Sequence, residues 1–93
     1  MKTQLLKPTK LVLGCGNHRQ DGYFGIDSKP SSATDLVYDL DRPGWSKQFE
    51  DSSIEEVQMI HLLEHINNHI GLFNEIYKVM TNHGKVLIRG PHA

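Results

Sequence analysis

An α/β fold built on one open, mostly parallel sheet of about five strands is predicted by three features of the sequence. First, Lys10-Leu11-Val12-Leu13 reads as a buried strand that runs without a break into Gly14-Cys15-Gly16-Asn17. Two glycines around a small residue at a strand end are how a ligand-binding edge begins in such sheets. Second, the apolar run Tyr23-Phe24-Gly25-Ile26 ends in Asp27. A carboxylate at the tip of the neighbouring strand is placed to accept hydrogen bonds from both hydroxyls of a ribose. Third, a helical stretch with three- and four-residue apolar spacing is followed directly by another short apolar strand, Lys85-Val86-Leu87-Ile88-Arg89, the order of a crossover unit. The glycine pair and Asp27 together point to a nucleoside site.

The elements follow in order. Met1 to Thr9 is a lead-in in which Leu5 and Leu6 can pack on the sheet, while Pro8 stops a helix from running into the first strand. Asn17 to Gly22 is polar and ends in the turn pair Asp21-Gly22; it is too short for the full helix that parallel neighbours normally need. A parallel first pair therefore demands a compressed turn or a single helical turn. Lys29 to Thr34 is a loop, and Asp35-Leu36-Val37-Tyr38-Asp39-Leu40 is a third strand with Asp39 at its far end. Trp45 to Phe49 is a short helical turn packed by its two aromatics. Ser52/Glu55 and Ser53/Glu56 both mimic a capping box, but Val57-Gln58-Met59-Ile60 is strand-like and supplies the fourth strand. Asn67 or Asn68 caps a helix whose apolar face is expected to comprise Ile70, Phe73, Ile76, Tyr77 and Met80. Asn82-His83-Gly84 reads as its stop, with a glycine for the left-handed position, and Lys85 to Arg89 is the fifth strand.

Composition narrows the class. Ninety-three residues make one domain, 1–93, near the lower limit for a self-sufficient core. Ten Lys and Arg against eleven Asp and Glu give a net charge of −1 with no basic run, so nucleic acid is not favoured as a partner. The single Cys15 excludes an internal disulfide and suits a reducing compartment. No apolar stretch reaches membrane-spanning length and none follows Lys2 as a leader would require. A cytoplasmic location without membrane attachment is expected.

Leu13-Gly14-Cys15-Gly16-Asn17, Gly22-Tyr23 leading to Ile26-Asp27, and Asp35-Leu36-Val37 leading to Asp39-Leu40 resemble the class I S-adenosylmethionine-dependent methyltransferases. Ser53-Ile54-Glu55-Glu56-Val57, His61-Leu62-Leu63-Glu64-His65, Glu75-Ile76-Tyr77-Lys78-Val79-Met80 and His83-Gly84-Lys85-Val86-Leu87-Ile88 extend the resemblance toward the small-molecule and sugar-directed branch. It runs from about Lys10 to the C-terminus and implies a Rossmann-like sheet, here lacking the usual C-terminal strand pair. It also implies roles. Gly14, Cys15 and Gly16 would lie along the methionine and ribose portion of S-adenosylmethionine, with Asn17 at the loop edge. Asp27 would hold the ribose hydroxyls, Ser28 would border the adenine, and Asp39 and Leu40 would meet its amino edge and face. His61, at the tip of the fourth strand, would face the sulfonium. The product would be S-adenosylhomocysteine.

A hydroxyl acceptor needs a base, and His61, His65 and His92 are the candidates, since an imidazole titrates near neutral pH. His61 and His65 stand four apart, but they lack the zinc-protease pattern and a second cysteine, so no metal site is expected. Cys15 reads as a packing choice rather than a nucleophile. The competing function is a non-catalytic module that binds S-adenosylmethionine or S-adenosylhomocysteine and regulates or completes a partner. A nicotinamide dinucleotide is a weaker alternative, because the loop lacks the third glycine of that fingerprint. A homodimer, or a partner subunit, is expected at the edge of the fifth strand.

Overall fold

A computed structural model of the chain describes residues 5–60 and 62–89. Its five strands are β1 (Lys10–Leu13), β2 (Phe24–Asp27), β3 (Leu36–Val37), β4 (Ile54–Ile60) and β5 (Met80–Arg89), with one helix, α1 (His69–Val79), between the last two. The sheet order is β3-β2-β1-β4-β5 and every pairing is parallel. The chain is thus an α/β, Rossmann-like fold. No helix among the described residues is long and apolar enough to cross a membrane.

The conflict at the first crossover resolves as a compressed turn. Leu11 pairs with Phe24 and Leu13 with Ile26, so β1 and β2 are parallel neighbours although no helix joins them. Residues 14–23 make the return with two tight turns, His18 N–H to the Cys15 carbonyl at 3.0 Å and Tyr23 N–H to the Gln20 carbonyl at 3.1 Å. The third strand is shorter than expected. Tyr38 N–H still reaches the Asp27 carbonyl at 2.8 Å, but the Asp39 carboxylate then accepts the Asp41 N–H at 3.0 Å. That local turn draws the backbone out of the sheet. The fourth strand is longer than expected and absorbs the capping-box mimic, because Ile54 and Val57 bury fully in the core.

One face of the sheet carries the main core. Leu11, Leu13, Ile26, Val57 and Met59 pack beneath Leu72, Ile76 and Val79 of α1 and beneath Trp45 and Phe49 of a 3-10 turn, Trp45–Gln48. Phe49 meets Phe24 edge-on at 5.6 Å and Trp45 at 6.3 Å, so the expected aromatic packing of this turn is present. Leu6 joins it by donating its N–H to the Gln48 carbonyl, whereas Leu5 is exposed. The opposite face buries a small apolar group, Val12, Cys15 and Ala33, flanked by Tyr23 and Ile60, together with the Gln58 side chain.

The helix departs from its expected orientation. Its buried residues are Leu72, Glu75, Ile76 and Val79, while Ile70, Phe73 and Tyr77 face water. Both stripes have helical spacing; the buried one packs Leu72, Ile76 and Val79 on the sheet and sets Glu75 against the Trp45–Gln48 turn. Asn68 is the N-cap, its side chain accepting the Gly71 N–H at 2.9 Å. The stop at Asn82-His83-Gly84 is also corrected. The helix ends at Val79, Met80 is already extended, and β5 starts there with an irregular register, Ile54 opposite Met80 but Glu56 opposite Lys85. From Lys85 to Arg89 the strand lies in the expected place, at the edge of the sheet.

Candidate functional site

Strand order fixes where a ligand can sit. The chain lays down β1, β2 and β3 in one direction and then returns to place β4 on the other side of β1. Crossovers therefore leave β1 and β4 in opposite directions, which opens a crevice at the carboxyl ends of the strands. A cleft of about 440 Å3 lies there, lined by Gly14, Gly16, Asp27, Ser28, Lys29, Asp39, Leu40, Ile60, Leu62, His65 and Ile66. Of the residues expected to touch a cofactor, Gly14, Gly16, Asp27, Ser28, Asp39 and Leu40 line this one cavity, and so does His65 from the catalytic candidates. His61 and His92 lie outside the described residues.

Gly14 leaves β1 at φ +76°, and a Cβ there would stand 3.2 Å from Leu62 Cδ1 and 3.3 Å from the Ile60 carbonyl. Glycine is thus required twice over, for the backbone conformation and for the close approach of the segment after β4. Gly16, at φ +56°, has open space where a side chain would project. Asp27 braces this loop from β2. Its Oδ2 accepts the Gly16 N–H at 2.8 Å and its Oδ1 accepts the Lys29 N–H at 3.1 Å. A carboxylate has about four acceptor positions, so two remain for a ligand. Ser31 adds a second brace by donating its hydroxyl to the Gly16 carbonyl at 2.7 Å.

Two expected residues do not face the cleft. Cys15 is buried on the far side of the sheet with Val12 and Ala33, its thiol 3.5 Å from the Ala33 carbonyl. Burial pushes that thiol above its ordinary pKa, which suits packing and not nucleophilic attack. Asn17 is exposed and lines nothing in the cavity.

Other groups that shape the site were not singled out from the sequence. Asp41 Oδ1 accepts the N–H groups of Asn68 at 2.9 Å and Asn67 at 3.1 Å, while its Oδ2 accepts Asn67 Nδ2 at 3.0 Å. These bonds hold its carboxyl below the ordinary aspartate range and tie the segment after β3 to the start of α1, across the cleft. Asp35 is gripped by Arg19 Nη1, 2.9 Å from both carboxylate oxygens, and by the Gly25 N–H at 2.8 Å. Burial works to raise the Asp35 carboxyl, but Arg19 and Gly25 outweigh it and hold it low. Lys29, Ile60, Leu62 and Ile66 complete the lining; none was given a site role, although Lys29 adjoins Ser28, Ile60 ends the expected fourth strand and Leu62 lies in the His61–His65 segment.

No family profile, curated protein or solved structure matches this chain.

What the cleft can bind follows from its own chemistry. A phosphate-binding loop needs free N–H groups and a helix N-terminus behind them. Here Gly14 N–H is committed to the Ile26 carbonyl at 2.8 Å and Gly16 N–H to Asp27, and no helix follows the loop. Two carboxylates, Asp27 and Asp39, stand against one lysine in the lining. This arrangement disfavours a pyrophosphate and favours a ligand with hydroxyl donors and positive charge. Leu40, Ile60, Leu62 and Ile66 add apolar walls of the kind a flat ring can lie against. His65 sits on a 3-10 turn, Leu63–His65, at the exposed rim, and its ring makes no hydrogen bond among the described residues.

Proposed function

We propose that this chain binds S-adenosylmethionine and acts as a methyltransferase on a small-molecule, sugar or other acceptor. The observation that carries the reading is the convergence of Gly14, Gly16, Asp27, Asp39 and Leu40 on one cleft at the strand-order reversal. The cofactor fits this donor set: a ribose with two hydroxyls for the free acceptor positions of Asp27, an adenine with an amino edge for Asp39 and a face for Leu40, and a cation for an acid-lined cavity. When bound, it supplies an electrophilic methyl group on sulfur. The chain's own residues do the rest. Asp27 and the Gly14–Gly16 loop hold the ribose and amino-acid portions, Leu62 and Ile66 keep water from the apolar wall, and His65 at the rim can take the proton of an approaching hydroxyl. His61 and His92 are the further base candidates.

Titration calorimetry with S-adenosylmethionine and S-adenosylhomocysteine tests the reading. Asp27→Ala is expected to weaken binding by about 1.5 to 3 kcal/mol, the range for bonds to a charged group. Asp27→Asn keeps one acceptor oxygen, enough for the Gly16 N–H but not for the Lys29 N–H as well, and is expected to bind more weakly than wild type and more tightly than Asp27→Ala. A folded sample that gives neither heat nor thermal shift with either compound overturns the proposal.

One observation favours the second reading, a non-catalytic binding module. A general base is normally oriented by a partner, and the His65 ring has none among the described residues. Cofactor binding without methyl transfer to any acceptor, with His65→Ala binding the cofactor as wild type does, would select the module.

A further inference from the structure

Two stretches far apart in the chain line the cleft together, Asp39-Leu40 after β3 and Leu62 to Ile66 after β4. Neither belongs to a strand or to α1, so the sheet ladder does not fix the distance between them. Leu40, Leu62 and Ile66 are buried in the main core, but apolar contact is non-directional and leaves that spacing loose. Directional bonds come from the residues that follow each stretch. Asp41, next to Leu40, accepts the N–H groups of Asn67 at 3.1 Å and Asn68 at 2.9 Å on Oδ1, and Asn67 Nδ2 at 3.0 Å on Oδ2. Both oxygens are engaged, so the carboxylate is fixed in rotation as well as in distance. The Leu62 to Ile66 stretch is anchored elsewhere too. Leu62 Cδ1 would stand 3.2 Å from a Cβ on Gly14, and His69 Nε2 lies 2.8 Å from the Leu63 carbonyl. Those contacts hold the stretch to the glycine loop and to α1, and Asp41 ties it to Leu40.

We propose that Asp41 is a positioning residue: by clasping Asn67 and Asn68 it sets the spacing between Leu40 and the Leu62 to Ile66 wall at which the cleft grips the flat ring of its ligand. The inference rests on the reading that S-adenosylmethionine occupies the cleft. Asp41 does not line the cavity, so it acts through its neighbours and not by contact. A ligand that touches both walls binds the clasped form better than the open one, and by linkage it holds the clasp shut by the same factor. A carboxylate near an acid-lined cavity could instead act through its charge on the sulfonium, and the two actions differ in what they require. A charge needs the anion and favours the cation. A clasp needs only the bonds, and it serves S-adenosylhomocysteine, which lacks the charge on sulfur, equally well. Asp41→Asn keeps the bonds without the charge. Its oxygen accepts both N–H groups, and its amide donates to Asn67 Oδ1 once the Asn67 side chain turns over.

Titration calorimetry of the full chain with both compounds, joined to amide hydrogen exchange of the free protein, tests the clasp. Asp41→Ala is expected to bind S-adenosylmethionine and S-adenosylhomocysteine each about tenfold more weakly, within the usual range of coupling between sites. Asp41→Asn is expected to retain most of the affinity for both. Without ligand, the His65 and Ile66 amides, which bond the Leu62 and Leu63 carbonyls, should exchange faster in Asp41→Ala than in wild type. Wild-type affinity in Asp41→Ala overturns the proposal. So does a loss confined to S-adenosylmethionine and shared by Asp41→Asn, which would assign the effect to charge. If wild type binds neither compound, the cofactor reading falls, and exchange at His65 and Ile66 alone decides the clasp: unchanged rates overturn it. Should Asp41→Ala fail to fold, Asn67→Ala, at an exposed position, removes the Oδ2 bond alone. Weaker binding with faster Ile66 exchange in that variant supports the clasp, and neither change overturns it.

Discussion

A carboxylate taken out of water destabilises a fold unless bonded partners replace its hydration, and Glu75, 5% exposed on the buried side of α1, is such a group. Its Oε1 accepts the Gly44 N–H at 2.8 Å, the Ser46 N–H at 3.2 Å and the Ser46 hydroxyl at 2.8 Å, and its Oε2 meets Lys78 Nζ at 3.2 Å. Burial works to raise the carboxyl, but these four bonds outweigh it and hold it below the ordinary range. Glu75→Ala strands the donors of Gly44 and Ser46 and is expected to cost about 3 kcal/mol, with Glu75→Gln costing less because an amide oxygen still accepts. Urea denaturation with an unchanged slope checks this. The two loop glycines should differ in the same assay. Gly14→Ala meets both a left-handed backbone and the Leu62 contact and should cost about 2 kcal/mol, whereas Gly16→Ala meets only the backbone term and should cost about 1. Asp27 and the glycines were legible in the sequence because their chemistry depends on near neighbours along the chain. Glu75 was not, because a glutamate at a helical position reads as solvent-facing until the turn 29 residues earlier is known to lie beside it.

At the scale of elements, α1 shows how far periodicity reaches. Spacing alone found the helix and offered two N-caps, and the structure uses Asn68, with Asn67 and Asn68 both donating to Asp41. Asn68→Ala is expected to cost about 1 kcal/mol, the usual value of a lost cap, and to loosen the cleft wall with it. The check is amide exchange, which should quicken at Gly71 and at Leu72, whose N–H bonds the Asn68 carbonyl, and not in β1. Which face the helix buries was beyond periodicity. Ile70, Phe73 and Tyr77 have the same helical spacing as Leu72, Ile76 and Val79, and the buried set is the one that also brings Glu75 onto the Gly44 and Ser46 donors. The strands were more legible. An apolar run that ends at a glycine or an acid gave β1 and β2 to within a residue, and the strand-like run Val57 to Ile60 gave the second half of β4. The third strand was overread because Asp39 turns the chain locally and ends its pairing. The fifth was placed correctly where it pairs in register with Glu56 to Ile60, but its irregular start was read as a helix stop; there Gly84 lies so close to the Met80 side chain that a Cβ would not fit.

Taken as a whole, the molecule joins β1 to β2 and β2 to β3 with connections that carry no helix and uses α1 only between β4 and β5, and carboxylates do much of the joining. Asp35 ties the segment before β3 to Arg19 in the first crossover, Asp41 ties the segment after β3 to the start of α1, and Glu75 ties α1 to the Trp45–Gln48 turn. On the less covered sheet face Glu56 accepts the Tyr23 hydroxyl and Gln58 Nε2, with Lys10 stacked over the Tyr23 ring. All four carboxyls are held below their ordinary values. The causes are Arg19 and the Gly25 N–H outweighing burial for Asp35, the Asn68 and Asn67 N–H groups for Asp41, the Tyr23 hydroxyl and Gln58 for Glu56, and Ser46 and Gly44 outweighing burial for Glu75. A carboxyl with a depressed folded-state pKa binds its proton more readily in the unfolded chain. Its contribution is therefore complete above the ordinary values, 3.8 for aspartate and 4.5 for glutamate, and is lost as pH falls through the folded-state values below them. Stability should accordingly be flat on this account from neutral pH to about 5 and fall steeply below it. Equilibrium unfolding monitored at a series of pH values between neutrality and strong acid measures that slope. Glu75→Gln should make it shallower, because one proton fewer is taken up on unfolding. Arg19→Ala should do the same, because it returns Asp35 toward its ordinary value. A slope identical in wild type and both variants would show that these carboxylates do not hold the crossovers together.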